Sequence, residues 1–406
     1  MQKIYRQNEI KWYLQTMLTS TAMLAGSGTI IQGFLLHYAV SAENVGIYST
    51  FAQGAQALIM FSAAAFIDRV RSIKRLFSLS TLVQSLFFIL MLFFVHPDAG
   101  ANAFFFPVMM CLSVFYNLAL GIRAIITYKI PYLIIDMKEY GRVSVMECIV
   151  LAVFSVFFSS LASKLLTDMP FESAMRLLFI LAAFMVVLSA FIITRFRLQP
   201  AKEEEKPSKG FDASLFTDRR FYLYILPNLL RGIASGILSM AAVFAAKELL
   251  ADDVFISRLV IAAQAASLIS FTIYLILIKN ISSRMMTMIG SLLFCLSPLL
   301  GLIGNETGYL AVYFIVFVGV NFFSVGIPVV VADHIPYRII GGYTAFRMLL
   351  TTGGTALGSL ISGYAIQSAS SLTLYVIASA MQLFTGVCYL FFHKIKNAPR
   401  VRKDVL

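Results

Sequence analysis

Long apolar runs separated by short polar breaks divide the whole chain. Each run reaches about 20 residues, the length that an α-helix needs to cross the hydrocarbon core of a bilayer. The pattern therefore predicts a membrane-spanning helix in each run, with short loops and no room for a domain outside the membrane. The twelve predicted spans cover residues 12–40, 43–67, 76–95, 103–127, 143–166, 173–194, 221–247, 254–278, 285–304, 309–332, 342–367 and 371–392.

The composition supports this interpretation and excludes several classes of protein. Of the 406 residues, 59% are hydrophobic and only 13% are charged, whereas a soluble domain carries about 25% charged residues. These values exclude a soluble enzyme, a disordered chain and a disulfide-rich secreted module. The four cysteines are isolated, and the sequence has no catalytic motif and no metal-ligand spacing. We therefore expect no enzymatic activity, no cofactor and no metal site.

The positive charge is distributed unevenly between the two predicted faces of the membrane. The chain has 32 Lys and Arg residues against 20 Asp and Glu, a net charge of +12. With the N-terminus inside, 25 of the basic residues fall on inner segments and only three on outer ones. Such an asymmetry predicts that both termini are cytoplasmic. The charge therefore indicates orientation in a cell membrane, a bacterial inner or plasma membrane, and we expect no nucleic-acid partner.

The two halves of the sequence resemble each other. KWYL at residues 11–14 is matched by RFYL at residues 220–223, and the pattern GI-x7-IPY occurs at residues 121–132 and again at residues 326–337. Repeats of this kind are common in secondary transporters, where two similar bundles lie side by side. The predicted domains are an N-terminal six-helix bundle over 1–200, a cytoplasmic linker over 201–219 and a C-terminal six-helix bundle over 220–406.

A family resemblance follows from the loop between spans 2 and 3. Asp68 and Arg69, followed by further basic residues, resemble the G-x-x-x-D-R-x-G-R-[RK] signature of the major facilitator superfamily, although Ala64 and Arg71 replace its glycines. The EYGR stretch at residues 139–142 is similar to the acidic and basic feature that this family has before span 5. The resemblance implies an all-α fold of twelve transmembrane helices in two pseudo-symmetric halves, which moves solutes by alternating access.

Glycine is distributed in a way that bears on the subfamily. The drug antiporters of this family have a Gly- and Pro-rich span 5, whereas residues 143–166 contain neither residue type. Glycines cluster instead in span 11, at positions 353, 354, 358 and 363. Small residues at such spacing allow helices to approach closely. We therefore expect close packing of span 11 and disfavour multidrug export.

Charged residues inside spans are costly and indicate function. Arg231 has no counterpart in the first half and lies roughly 16 Å along its helix from Arg220, near the bilayer centre. It is predicted to bind substrate or a coupling ion, or else to have a structural role. Arg123 is likewise unrepeated, and it either contacts a ligand or extends to the inner face. Arg258 is expected to reach outward to the acids at residues 252–253.

Neutral polar residues on the predicted cavity-lining spans complete the candidate binding site. The predicted substrate-binding residues are Arg231, Arg123, Asn117, Gln32, Gln53, Asn228, Gln264 and Asn321. Asn117 and Asn321 occupy near-equivalent positions in the two halves, so helix packing is an alternative explanation for them.

Two further residues are candidates for coupling. Glu147 is the one carboxylate clearly inside a predicted span. It either carries a coupling proton or pairs with Lys279 or Arg284 on the inner side. His37, near the outer end of span 1, can titrate near neutral pH, although a hydrogen-bonded interfacial role is an alternative.

A conformational latch is predicted on the inner face. Arg347 follows the IPY sequence at the same distance as Arg142 does in the first half. Together with Asp68 and Arg69, these arginines are expected to hold the two halves together in one state and release them in another. Extension of the arginines to the membrane surface is the alternative.

The sequence thus predicts a secondary transporter of a small organic anion such as a carboxylate. The preference for an anion rests on the four arginines and one glutamate inside the predicted spans. A sugar or polyol transporter, or a drug or lipid exporter on the same fold, are the alternatives. The expected partners are a small-molecule substrate, a coupling proton or sodium ion in a symporter or antiporter, and the lipid bilayer. A monomer is expected.

Overall fold

The described part of the chain is helical throughout. A computed structural model describes residues 2–26, 29–66, 72–135, 140–198, 219–249, 253–277, 281–301, 305–332 and 337–391. No strand occurs within these ranges. Seven helices there are long and apolar enough to cross a membrane.

Within the described residues, the first half contains eight α-helices and two short 3₁₀ turns at residues 92–94 and 99–101. The helices are α1 (Gln2–Gly26), α2 (Thr29–His37), α3 (Ala42–Phe66), α4 (Ile73–Met91), α5 (Phe105–Lys129), α6 (Pro131–Ile134), α7 (Tyr140–Asp168) and α8 (Phe171–Thr194).

The second half repeats the order of the spans, with its short helix at a different place. Its helices are α9 (Arg219–Ser239), α10 (Ala241–Glu248), α11 (Asp253–Leu277), α12 (Ser283–Leu296), α13 (Pro298–Gly301), α14 (Glu306–Ala332), α15 (Tyr337–Ala365) and α16 (Ser371–Phe391). Every predicted span coincides with one of these helices or with a consecutive pair. The first span of each half is such a pair, α1 with α2 and α9 with α10. The predicted linker lies outside the described residues except for residue 219, which begins α9.

Helix α1 begins at Gln2, ten residues before the predicted start of span 1. Its first turns are polar, so hydropathy alone does not detect them. Asn8 is fully buried, and its Nδ2 atom donates to the carbonyl oxygens of Ile134 and Arg197 at 3.2 and 2.9 Å. These hydrogen bonds hold the polar turns of α1 against the end of α6 and the segment that follows α8, which explains why the helix continues beyond the apolar run.

Glycines bring α9 and α15 into close contact. A Cβ atom added to Gly354 would lie 2.5 Å from the carbonyl oxygen of Leu229, and one added to Gly358 would overlap the carbonyl of Ile233. Gly353, on another face of α15, has open space around it. The predicted close packing of span 11 is therefore confirmed for Gly354 and Gly358, since only a residue without a side chain leaves room for the neighbouring backbone.

The two halves meet along α3 and α15, toward the side that the charge distribution predicts to be outer. Gly46 faces Gly363, and a Cβ atom added to Gly46 would lie 2.8 Å from the Cα atom of Gly363. One turn deeper, Thr50 Oγ1 donates to the carbonyl oxygen of Ala356 at 3.1 Å. These contacts hold the outer parts of the two bundles together.

Replacing Gly358 by Ala should destabilise the protein by about 1–3 kcal/mol, because the added methyl group overpacks the contact with Ile233. The thermal midpoint of the purified protein in detergent measures this effect. Gly353→Ala is the matched control in the same helix, and it should leave the midpoint unchanged or raise it, since Ala is the better helix former. Equal losses in the two variants would contradict the packing argument.

Candidate functional site

Arg123 lies inside the first half, on α5. Its side chain is only 6% exposed. One terminal nitrogen donates to Thr19 Oγ1, and the other approaches Met23 Sδ at 3.4 Å. The guanidinium carbon lies 5.9 Å from the centre of the Phe77 ring. Its Nε–H group has no hydrogen-bond partner among the described residues. The side chain is therefore directed into the first bundle, rather than along α5 to the inner face.

Glu147 faces α1 from α7. Its two carboxylate oxygens accept hydrogen bonds from Trp12 Nε1 at 2.8 Å and from Thr16 Oγ1 at 3.1 Å. Arg123 and Glu147 influence each other electrostatically. We call Arg123, Thr19, Glu147, Trp12 and Thr16 the first-half cluster. It combines one buried cation with one carboxylate, both held by neutral donors and acceptors on α1.

These contacts bear on the two predicted partners of Glu147. Lys279 lies outside the described residues, and Arg284 lies at the start of α12. The hydrogen bonds described for Glu147 are with Trp12 and Thr16 on α1. Its pairing with Lys279 or Arg284 stays a prediction.

Arg231 lies on α9 in the second half. Its guanidinium carbon is 5.0 Å from the centre of the Phe323 ring on α14, a distance at which a cation interacts favourably with an aromatic face. Phe323 in turn packs edge-on against Tyr389 on α16, with the ring centres 5.9 Å apart. Tyr389 donates a hydrogen bond to Asn228 Oδ1 at 3.1 Å. Arg347, on α15, and Arg231 both influence the Tyr389 hydroxyl electrostatically.

Four polar residues thus converge in the second half. We call Arg231, Arg347, Asn228 and Tyr389 the second-half cluster. This cluster contains Arg231, a predicted substrate-binding residue, and Arg347, a predicted member of the latch. Tyr389 was not among the predicted residues. A tyrosine in the last apolar span carries little signal in hydropathy, because its ring is compatible with the membrane.

Gln32 contacts the opposite half. Its Nε2 atom donates to the carbonyl oxygen of Ser239 at 2.6 Å, at the point where α9 ends. Its Oε1 atom has no partner among the described residues. The structure therefore places this predicted substrate-binding residue at the contact between the outer parts of the two halves.

The remaining amides differ in their surroundings. Asn117 donates to the carbonyl oxygen of Ser113, one turn earlier in α5, at 2.9 Å. Asn321 donates to Ser267 Oγ on α11 at 2.9 Å. Gln53 and Gln264 are half-buried on α3 and α11. The two asparagines are engaged in contacts within and between helices, which agrees with the packing alternative.

His37 lies apart from both clusters, and most of the predicted latch falls outside the described residues. The exposed His37 ring stacks on Phe171, with ring centres 3.6 Å apart and planes at 10°. Asp68 and Arg69 lie outside the described residues. Arg142 belongs to α7, but its side chain lies outside the described part. The latch therefore stays a prediction, and Arg347 is the member whose side chain has a described position.

Comparison with solved structures identifies the fold. The chain is similar to the nucleoside transporter NupG, with a TM-score of 0.66, 15% identity, and coverage of 97% of this chain and 100% of that chain. It is also similar to a bacterial homologue of the iron transporter ferroportin in its outward-facing state, with a TM-score of 0.68, 16% identity, and coverage of 95% of this chain and 99% of that chain. The D-xylose-proton symporter is similar with a TM-score of 0.70, 12% identity, and coverage of 96% of this chain and 98% of that chain.

No protein-family model matches the sequence, and no curated protein matches it at a significant level. The identification therefore rests on three-dimensional similarity over nearly the whole chain. These similar structures are transporters and not enzymes. The chain is a multi-pass membrane protein with the fold of the major facilitator superfamily, as the sequence predicts.

The contributions of Arg123 and Glu147 to the stability of the protein should be coupled. Arg123→Gln leaves the carboxylate without its nearby cation, and Glu147→Gln leaves the buried guanidinium without its nearby anion, so each single variant loses stability. The double variant should lose less than the sum of the two, by about 1 kcal/mol. Unfolding measurements on the four proteins of this double-mutant cycle give the coupling energy. Strict additivity would show that the two charges act independently.

Proposed function

We propose that this protein is a secondary transporter that carries a small organic anion, such as a carboxylate, by alternating access between its two halves. The fold supports transport as the activity, because the similar structures are transporters. They are a nucleoside transporter, a homologue of an iron transporter and a xylose-proton symporter. One fold thus serves chemically different solutes, so the substrate class must be argued from the residues of this chain.

The charge balance of the second half carries the proposal. Its predicted spans contain Arg231, Arg258 and Arg347 but neither Asp nor Glu. Two cations, Arg231 on α9 and Arg347 on α15, lie on helices that pack closely against each other in this half. Positive charge within a membrane is stabilised by a negative partner, and a guanidinium binds a carboxylate through paired, charge-assisted hydrogen bonds. An anionic solute supplies the charge that these spans lack.

The first-half cluster supplies a coupling site within this proposal. While Glu147 is ionised, its charge offsets that of Arg123. When Glu147 takes up a proton, Arg123 becomes the uncompensated charge of this cluster, and a bound anion restores neutrality. One proton would thus move with one negative charge of the substrate. The transport cycle would then carry no net charge for a monovalent anion.

Replacing Arg231 by Ala should weaken anion binding at least about tenfold, because charge-assisted hydrogen bonds are lost. A thermal-shift screen of the purified protein against carboxylates and neutral sugars of matched size identifies the ligand. Counterflow in proteoliposomes then measures its exchange. Lys164→Ala, which removes an exposed cation near the end of α7, is the control and should retain exchange. Wild-type affinity in Arg231→Ala, or stabilisation by sugars alone, would contradict an anion site at Arg231.

Replacing Glu147 by Gln should abolish uptake driven by a proton gradient while leaving counterflow of the same anion. The amide cannot take up and release a proton, but the exchange of bound anion requires no net proton movement. Glu172→Gln, at the start of α8, is the matched control and should respond to the gradient as the wild type does. Gradient-driven uptake in Glu147→Gln would assign coupling to another group.

A further inference from the structure

An apolar groove runs along the surface of the second half between α11 and α14. It is open rather than enclosed and has a volume of about 640 Å³. Ile261, Leu310, Phe314 and Ile315 contribute to its lining, which is apolar along nearly its whole length. Thr307 and Ile315 mark the extent of the lining on α14, and at 1.5 Å per residue they lie about 12 Å apart along the helix. The groove is therefore elongated along the direction in which the helices cross the membrane.

Arg258 is the charged residue of this groove. It lies five residues after the start of α11, which places it about 8 Å from the outer end of the helix. Its side chain is exposed, and no described residue forms a hydrogen bond or ion pair with it. The acids at residues 252–253, to which it was expected to reach, are outside the described part or have no described side chain. Arg258 contributes to the lining of the groove, and its reach to these acids stays a prediction.

The position of Arg258 in depth defines the chemistry that complements it. An arginine within the first turns of a transmembrane helix lies near the boundary between headgroups and hydrocarbon. At this level a cation is stabilised by an anionic group at the surface, and lipid phosphate is the anion present there. The planar guanidinium group matches the geometry of phosphate oxygens. The rest of the lining is almost entirely apolar, so it matches a hydrocarbon chain and offers little to a polar solute.

We propose that this groove is a binding site for a phospholipid of the outer leaflet. The phosphate lies on Arg258, and one acyl chain follows the groove between α11 and α14. The site is separate from both polar clusters. It therefore stands whether or not the protein transports an anion.

Native mass spectrometry of the full-length protein in detergent tests the site by titration with dioleoyl-phosphatidylglycerol. One lipid should bind more tightly than the rest, and Arg258→Ala should weaken this step roughly tenfold, because a charge-assisted contact is lost. Lys164→Ala removes an exposed cation elsewhere and should have no effect. Ala262→Trp fills the groove while retaining Arg258 and should weaken the same step. Ala311→Trp repeats this test from α14 if the first variant does not fold.

Two further ligands distinguish the parts of the site. Dioleoylglycerol has the chains but no phosphate, and glycerol 3-phosphate has the phosphate but no chains. Each should bind at least about tenfold more weakly than the intact lipid, since each makes only one of the two contacts. Equal lipid binding by wild type and Arg258→Ala would indicate unspecific annular lipid only. Equally tight binding of glycerol 3-phosphate would indicate a simple anion site. Either result would overturn the proposal.

Discussion

The contact that organises this structure is the packing of α15 between two other helices. Gly354 and Gly358 bring it against α9 in its own half, and Gly363 brings it against Gly46 on α3 in the other half. No side chain separates the backbones at these points, so α15 packs closely against both partners in this structure. Arg347 lies on the same helix, two turns before Gly354. The second-half cluster is therefore linked through one rigid element to the interface between the halves.

The two clusters differ in a way that the repeat does not require. The first-half cluster contains a cation and a carboxylate, whereas the second-half cluster contains two cations and a tyrosine. Both are built on the first helix of their half, through Thr19 on α1 and Asn228 on α9. These two residues are separated by 209 positions, the same offset that relates KWYL to RFYL. The repeat thus places one polar residue at equivalent positions in the two halves, whereas the charged residues around these positions differ.

The fold could be predicted from the sequence because hydropathy, loop charge and the internal repeat all depend on composition along the chain. The candidate site could be predicted only in part. Arg123, Glu147, Arg231 and Asn228 were identified because polar groups in apolar spans are costly. Their contacts were not predictable, since the direction of a side chain depends on helix rotation and on the neighbouring helix. Gln32 illustrates this limit, because its amide contacts the opposite half. Tyr389 was missed, because a tyrosine ring is compatible with an apolar span and carries little signal in hydropathy.

The division of span 7 at Ser239 affects the direction of the helix. Helix α9 below this point is packed against α15 by Gly232 and Gly236, while α10 above it is only eight residues long. A helix that is already interrupted can bend at the interruption without breaking a continuous ladder of backbone hydrogen bonds. The Ser239 carbonyl, to which Gln32 donates, lies at this interruption between α9 and α10. The interruption therefore allows α10, which is about 12 Å long, to take a direction different from that of α9.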